Sequence, residues 1–123
     1  MSSGTVAEEL VALCRAGKFA EAVEQLYAED AVSVEAMDFN GQGREVRGKA
    51  AIRAKGQAWF ADNDVHHIEV SGPFVSPERF VVQFIFDFTR RANGERVRFP
   101  EAAVYEVREG KIAREEFLYG VPS

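Results

Sequence analysis

The side chains suited to chemistry in this chain are few, and most are glutamates. Glu35 closes the run Ala31-Val32-Ser33-Val34, so a short β-branched strand would end on a lone carboxylate. Such a carboxylate can act as a general base if burial brings its pKa toward neutrality. Glu101 and Glu115 add two more acids, while Lys55, His66 and Tyr105 add a cation, an imidazole and a hydroxyl. Proton transfer with Glu35 as base and His66 or Tyr105 as partner acid is the chemistry this set could perform. Nothing in the sequence suggests another mechanism: it has no Gly-x-Ser-x-Gly, no phosphate loop and no paired-cysteine motif. His66 and His67 are adjacent, point to opposite faces of a strand, and so do not easily share a metal. The reading therefore expects neither metal nor cofactor.

Each residue also has a structural role open to it. Glu35 could be a solvated strand end, and Lys55 could run its alkyl stem along the surface and release its ammonium to water. His66 could be a rim histidine. Glu101 and Glu115 could pair with Arg98 or Arg114, and Tyr105 and Trp59 could simply fill the core. The position of Lys55 separates two outcomes. Close to a glutamate, it lowers that carboxyl's pKa and leaves a weak base; distant from it, burial raises the pKa.

The elements that would hold these residues follow from pattern. Thr5-Val6-Ala7-Glu8 has capping-box spacing, Val6, Leu10, Leu13 and Cys14 recur at helical period, and Gly17 supplies a stop. Cys14 lies on that apolar stripe and reads as a core residue rather than a reactive thiol. A second helix from about Lys18 carries Phe19 or Ala20, Val23, Leu26 and Tyr27. It breaks through Glu29-Asp30 into the strand that ends at Glu35. Met37 to Gly43 reads as a loop by its glycines and polar residues. Gly48 introduces a third helix, Lys49 to about Ala61, with Ile52, Lys55, Gly56 and Trp59 on one face.

From Val65 onward the period becomes two. Phe80, Val82, Phe84, Phe86 and Phe88 alternate with Val81, Gln83, Ile85 and Asp87. Turns at Ser76–Arg79, at Asn93-Gly94 (a type I′ signal) and at Glu109-Gly110 divide the rest into strands 65–75, 79–91, 95–108 and 111–119. Consecutive tight turns imply an antiparallel meander, and Gly72-Pro73 and Pro100 mark bends that would curve it. Helices followed by a bent sheet indicate a single α+β domain over residues 1–123, with three helices packed in a strongly curved antiparallel sheet, a cone. Eight of the ten phenylalanines fall from Phe60 onward, enough to fill or line its interior.

The totals bound the partners. The formal charge is −5 and the pI about 5.1. Basic residues are interleaved with acids and lack stacking aromatics, which argues against nucleic acid. No run approaches membrane-spanning length, and a single cysteine fits a reducing compartment, so the expectation is a cytoplasmic protein.

Three segments resemble the nuclear transport factor 2 superfamily, on the branch of ketosteroid isomerases and SnoaL-like polyketide cyclases. They are Leu26-Tyr27-Ala28-Glu29-Asp30-Ala31, Gly48-Lys49-Ala50-Ala51-Ile52-Arg53 and Glu109-Gly110-Lys111-Ile112. Val65-His66-His67-Ile68-Glu69-Val70 and Arg114-Glu115-Glu116-Phe117 are similar to an uncharacterised SnoaL-like subgroup. The resemblance implies a cystatin-like α+β barrel that uses no cofactor and pairs as a homodimer through the outer sheet face, where Ile85 and Val104 fall. It also implies that Glu35 holds the position of the isomerase's proton-abstracting carboxylate. The isomerase's oxyanion-hole tyrosine falls on Leu10 and its protonated aspartic acid on or next to Ala103, so neither donor is present.

The resemblance further turns Glu101, Ala103, Tyr105 and Val107 inward on one strand, and Ala113, Glu115, Phe117 and Tyr119 inward on the last. His66, Ile68 and Val70 share a face by simple alternation. Glu35, Lys55, His66, Glu101, Tyr105 and Glu115 would then converge on a pocket lined by Trp59, Phe84, Phe86 and Phe117. A small apolar or amphipathic molecule would fit it. Three readings follow: an isomerase or cyclase acting on a small carbonyl compound, a non-catalytic binder of a small ligand, or a dimeric interaction module.

Overall fold

The structure, a computed structural model, describes residues 2–38, 41 and 43–120. Its elements are α1 Ser3–Arg15, α2 Phe19–Leu26, β1 Tyr27–Val34, β2 Glu45–Arg47, α3 Lys49–Asp62, β3 Asn63–Val75, β4 Arg79–Arg90, β5 Arg96–Arg108 and β6 Lys111–Leu118. The strands form one sheet in the order β2-β1-β6-β5-β4-β3, which curls around the helices without closing. The predicted α+β cone is the observed architecture.

Several local expectations are corrected. Helix α1 is capped by Ser2, whose hydroxyl accepts from the Thr5 amide, so the helix begins before the predicted Thr5 cap. Helix α2 passes into β1 at Tyr27 with no intervening break, and Glu29-Asp30 lies inside the strand. The sheet is mixed rather than antiparallel: β1 runs parallel to β6, while β2 pairs antiparallel with β1. Residues 35–110 separate β1 from β6, so no hairpin dictates their relative direction. Strand β2 carries no strand pattern in its three residues. Phe39, Asn40 and Gln42 of the predicted loop lie outside the described residues.

Turn chemistry is exchanged between two hairpins. At Asn93-Gly94 only the glycine has positive φ, +70°, whereas a type I′ turn needs both central residues there. The backbone instead closes Arg90 N–H to Glu95 O, and the Asn93 side chain accepts from the Glu95 amide. Glu109 and Gly110 have φ of +53° and +77°, and Arg108 pairs with Lys111 across them, which is the I′ arrangement. Pro100 does not break its strand; the β4–β5 register is continuous from Arg79↔Glu106 to Thr89↔Arg96. Strand β6 ends at Leu118, opposite Ala102, so Pro100 lies where β5 has become an edge and its missing donor costs little. Gly72-Pro73 does mark a register shift in β3.

The core lies at the narrow end of the cone. Val6, Leu10 and Cys14 of α1 and Leu26 of α2 are buried together with Phe80 and Val82 of β4, Ala103 and Tyr105 of β5 and Ile112 of β6. Each fully buried large apolar side chain stabilises the fold by about 1.5–3 kcal/mol. Cys14 is part of this packing, and burial pushes its thiol up to about 12, so it is a core residue as expected. Toward the wide end, inward-facing Trp59, Phe86, Phe99, Phe117 and Tyr119 are only half-buried.

Candidate functional site

The inner face of the sheet is read from its pairing. Ser33 of β1 faces Glu115 of β6, Glu115 faces Tyr105 of β5, and Tyr105 faces Phe80 of β4. This row crosses the floor of the cone. Nearer the mouth, Phe117 faces Ala103 and Glu101 faces Phe84. The expected inward parity is therefore observed for Glu101, Ala103 and Tyr105 of β5 and for Glu115 and Phe117 of β6, but not for Ala113: the register shift between Glu106 and Val107 skips it, and buried Ile112, paired with Val107, takes the inward place. Helix α3 lies over these rows with Ile52 buried and Lys55, Gly56 and Trp59 following on the same face.

Lys55 does not escape to water. Its Nζ lies 2.8 Å from Ser33 Oγ and 2.9 Å from Glu35 Oε1, and 5.4 Å from the centre of the Phe117 ring. The side chains of Lys55 and Glu35 retain 30% and 26% exposure, so this ion pair stands at the mouth rather than in the core. Tyr119, just past β6, donates its hydroxyl to the other oxygen of Glu35 at 3.0 Å. Glu35 is thus held at both oxygens. Burial and the neighbouring Glu35 charge push the Tyr119 hydroxyl up to about 12, so it remains a donor.

Glu101 sits in the opposite environment. It pairs with neither Arg98, which approaches Glu69, nor any other cation among the described residues. Burial first, then the Glu35 and Glu115 carboxyls, push Glu101 up to about 8, with Lys55 opposing. At neutral pH it keeps its proton and offers a donor.

Glu115 lies deeper, with 4% exposure, and takes no part in the Arg114 ion pair, which goes to Glu116. Tyr27 donates its hydroxyl to Glu115 Oε1, and the Ser33 side chain faces the carboxyl from β1 and favours its charged form. Burial raises the Glu115 pKa against the pull of these donors and of Lys55. Tyr105 is buried and stacked on Phe80, with ring centroids 4.8 Å apart. It belongs to the floor, and burial holds its hydroxyl well above the usual range.

His66 is not brought to this site. Val65 pairs with Phe88 and His67 with Asp87, so His66 is the extra residue of a bulge. The bulge shifts the phase of β3: Ile68 and Val70 face inward opposite Phe86 and Phe84, while His66 is exposed with its ring 2.7 Å from Thr89 Oγ1. Simple alternation could not register that extra residue. Of the predicted aromatic lining, Trp59 packs edge-on against Phe86 and Phe88, Phe84 is buried, and Phe117 lies beneath Lys55. Two contributors were missed as site residues, Ser33 and Tyr119. Ser33 alternates with Glu35 along β1 and so shares its face, a signal that period two already carried.

A Cβ added at Gly56, on the inward face of α3, would meet nothing within 4 Å. No group of side chains suited to hold a metal ion occurs among the described residues, and no helix there is long and apolar enough to cross a membrane.

Comparison with known proteins shows the family. The SnoaL-like domain profile matches residues 1–119, so the chain belongs to the SnoaL-like domain family. A Mesorhizobium loti structure assigned to the SnoaL-like polyketide cyclases is 39% identical with a TM-score of 0.91, covering 97% of this chain and 100% of its own. A Xanthomonas campestris protein of unknown function with a cystatin-like fold is 11% identical at a TM-score of 0.81, covering 98% and 92%. A Catenulispora acidiphila protein with a ketosteroid isomerase-like fold, solved with trimethylamine, is 15% identical at 0.72, covering 94% and 85%. No curated protein matches the chain.

Proposed function

We propose that this member of the SnoaL-like family is a cofactor-free acid–base enzyme of the isomerase or cyclase type, acting on a small, largely apolar carbonyl compound. The observation that carries the reading is the contrast between two glutamates at one mouth. Glu35 is ion-paired to Lys55 and held by Tyr119, whereas Glu101 has no cation partner and keeps its proton. An ion-paired carboxyl and a protonated one at a single mouth can divide the roles of base and acid. In the proposed step the Glu35 carboxylate removes a proton alpha to the carbonyl. The C–H electrons form the enolate double bond, and the carbonyl π electrons move onto oxygen, which Glu101 hydrogen-bonds or protonates. Return of the proton from Glu35 to a different carbon completes an isomerisation; in a cyclisation the enolate carbon attacks a second carbonyl, whose π electrons move onto its oxygen, and that oxygen takes the proton from Glu35.

The half-buried rings of Trp59, Phe86, Phe99 and Phe117 suit an apolar substrate body. Turnover of carbonyl compounds followed by ultraviolet absorbance or mass spectrometry tests the reading. Glu35→Gln should abolish it and Glu101→Gln should lower it by about 10²–10⁴-fold, the usual range for a general acid or base. Undiminished turnover in Glu35→Gln would overturn it.

The Lys55–Glu35 ion pair favours a second reading, a non-catalytic binder, because both Glu35 oxygens are already engaged, one by the Lys55 ammonium and the other by the Tyr119 hydroxyl. Recovery of a saturably bound ligand unchanged would select this alternative. We also propose that the protein works in the cytoplasm as a homodimer paired through the outer sheet face. Val81 and Val104 are paired there, Ile85 is paired with Pro100, and half-exposed Leu118 is paired with Ala102.

A further inference from the structure

Beneath the mouth lies a row of polar groups that the proposed reaction does not use: Ser33, Glu115, Tyr27 and Tyr105, all buried. Their donor directions are fixed by chemistry. The Lys55 ammonium has only protons to give, so at 2.8 Å Ser33 Oγ must accept from it. The single Ser33 proton is then left for Glu115, which faces Ser33 across the β1–β6 pairing and whose carboxyl the hydroxyl favours in its charged form. Tyr27 donates to the same carboxyl. The chain of bonds therefore runs in one direction, from Lys55 through Ser33 to Glu115, with Tyr27 closing it from the other side. Lys55 in turn donates to Glu35 Oε1.

From this we infer that Glu115 is a positioning residue: through Ser33 it holds the Lys55 ammonium in place, and thereby the Glu35 carboxyl at the mouth. It makes no hydrogen bond to Glu35 or Lys55 among the described residues and reaches the ammonium through the Ser33 hydroxyl and through its charge. The groups bearing on Glu115 come from every element around it. They are Tyr27 and Ser33 on β1, Glu35 beyond it, Lys55 on α3, Glu101 and Tyr105 on β5, and Cys14 on α1. Lys55 is the only cation among them. Burial without such partners would be costly for Glu115, and no buried side-chain polar atom among the described residues lacks a hydrogen-bond partner.

The inference is independent of the proposed reaction, and its test needs no substrate. The ¹⁵N–¹H signal of the Lys55 side-chain ammonium, assigned by its loss in Lys55→Met, reports how tightly that ammonium is held through its hydrogen exchange with water. In the wild-type protein it should exchange slowly. Ser33→Ala removes the acceptor, and Glu115→Leu removes the group that orients it. Loss of one bond to a charged group should speed exchange about tenfold. Glu115→Gln, which keeps an acceptor oxygen for Ser33, should largely preserve slow exchange. If Glu115→Leu fails to fold, Glu115→Met takes its place, with the same faster exchange expected. An exchange rate unchanged within about twofold in folded Ser33→Ala would overturn the inference. Equal acceleration in Glu115→Gln and Glu115→Leu would overturn it too, because acceptance from Ser33 would not then be what matters.

Discussion

At the scale of single residues, the site depends on where protons reside. Glu101 is raised to about 8 from an ordinary 4.5, chiefly by burial. A carboxyl whose folded pKa is raised favours the folded state at low pH, where both states are protonated. That contribution falls as pH rises above 4.5, where the unfolded chain ionises first, and is lost once pH passes about 8. Thermal melts of Glu101→Gln should therefore resemble wild type near pH 5 and exceed it near pH 9. A variant that is less stable than wild type at the higher pH would contradict this. The rate of the proposed reaction should fall above about 8 as Glu101 ionises, and Glu101→Gln should remove that limb. A rate that instead rises through this range would reverse the two roles, making Glu101 the base.

Much at this scale was legible in sequence. Strand period and resemblance were enough to face Glu101 and Glu115 inward and to put Glu35 at a strand end. The state of each carboxyl was not legible, because it depends on which cation reaches it. Lys55 binds Glu35 and leaves Glu101 unpaired, a choice made by the lie of α3 over the sheet.

At the scale of elements, α3 is the piece whose interior face meets the mouth. Gly56 weakens a helix interior, yet a Cβ there would meet nothing within 4 Å and its φ is not positive. Gly56→Ala should therefore stabilise the fold by about 0.5–1 kcal/mol in chemical denaturation. Gly56→Leu should project into the open space beside Lys55 and Trp59, impairing ligand entry while the melting temperature holds. Destabilisation by alanine would show that the space is already occupied. The stripe Ile52, Lys55, Gly56, Trp59 was readable from helical spacing alone. The phase of β3 was not, because a bulge at His66 leaves no compositional mark and inverts the expected facing of that residue. Asn93-Gly94 and Glu109-Gly110 make a similar point. The stronger I′ dipeptide forms a longer loop, and the weaker one takes the I′ geometry, because strand register rather than dipeptide preference sets how many residues each turn must span.

At the scale of the molecule, the sheet leaves its convex side largely uncovered by other elements. Phe74, 60% exposed, is paired with Val81, Val81 with Val104, and Ala102 with Leu118, so apolar side chains run across three adjacent strands and onto a fourth. Light scattering should give the mass of a dimer, and Val104→Asp should shift it toward the monomer; a monomeric mass for the wild type would exclude pairing through this face. The curved sheet and its helices were legible because period changes from 3.6 to two midway along the chain. The parallel placement of β1 beside β6 was not, since no local pattern records a contact between chain ends. That contact sets Ser33 against Glu115 and builds the floor beneath Lys55. Above this floor, the functional claim is that Glu101 keeps its proton at neutral pH beside the ion-paired Glu35. Titration of the glutamate side-chain carboxyls by ¹³C NMR tests it most directly. Glu101 should titrate at about 8 and move lower in Glu35→Gln, whereas a midpoint at the ordinary 4.5 would contradict the acid–base assignment.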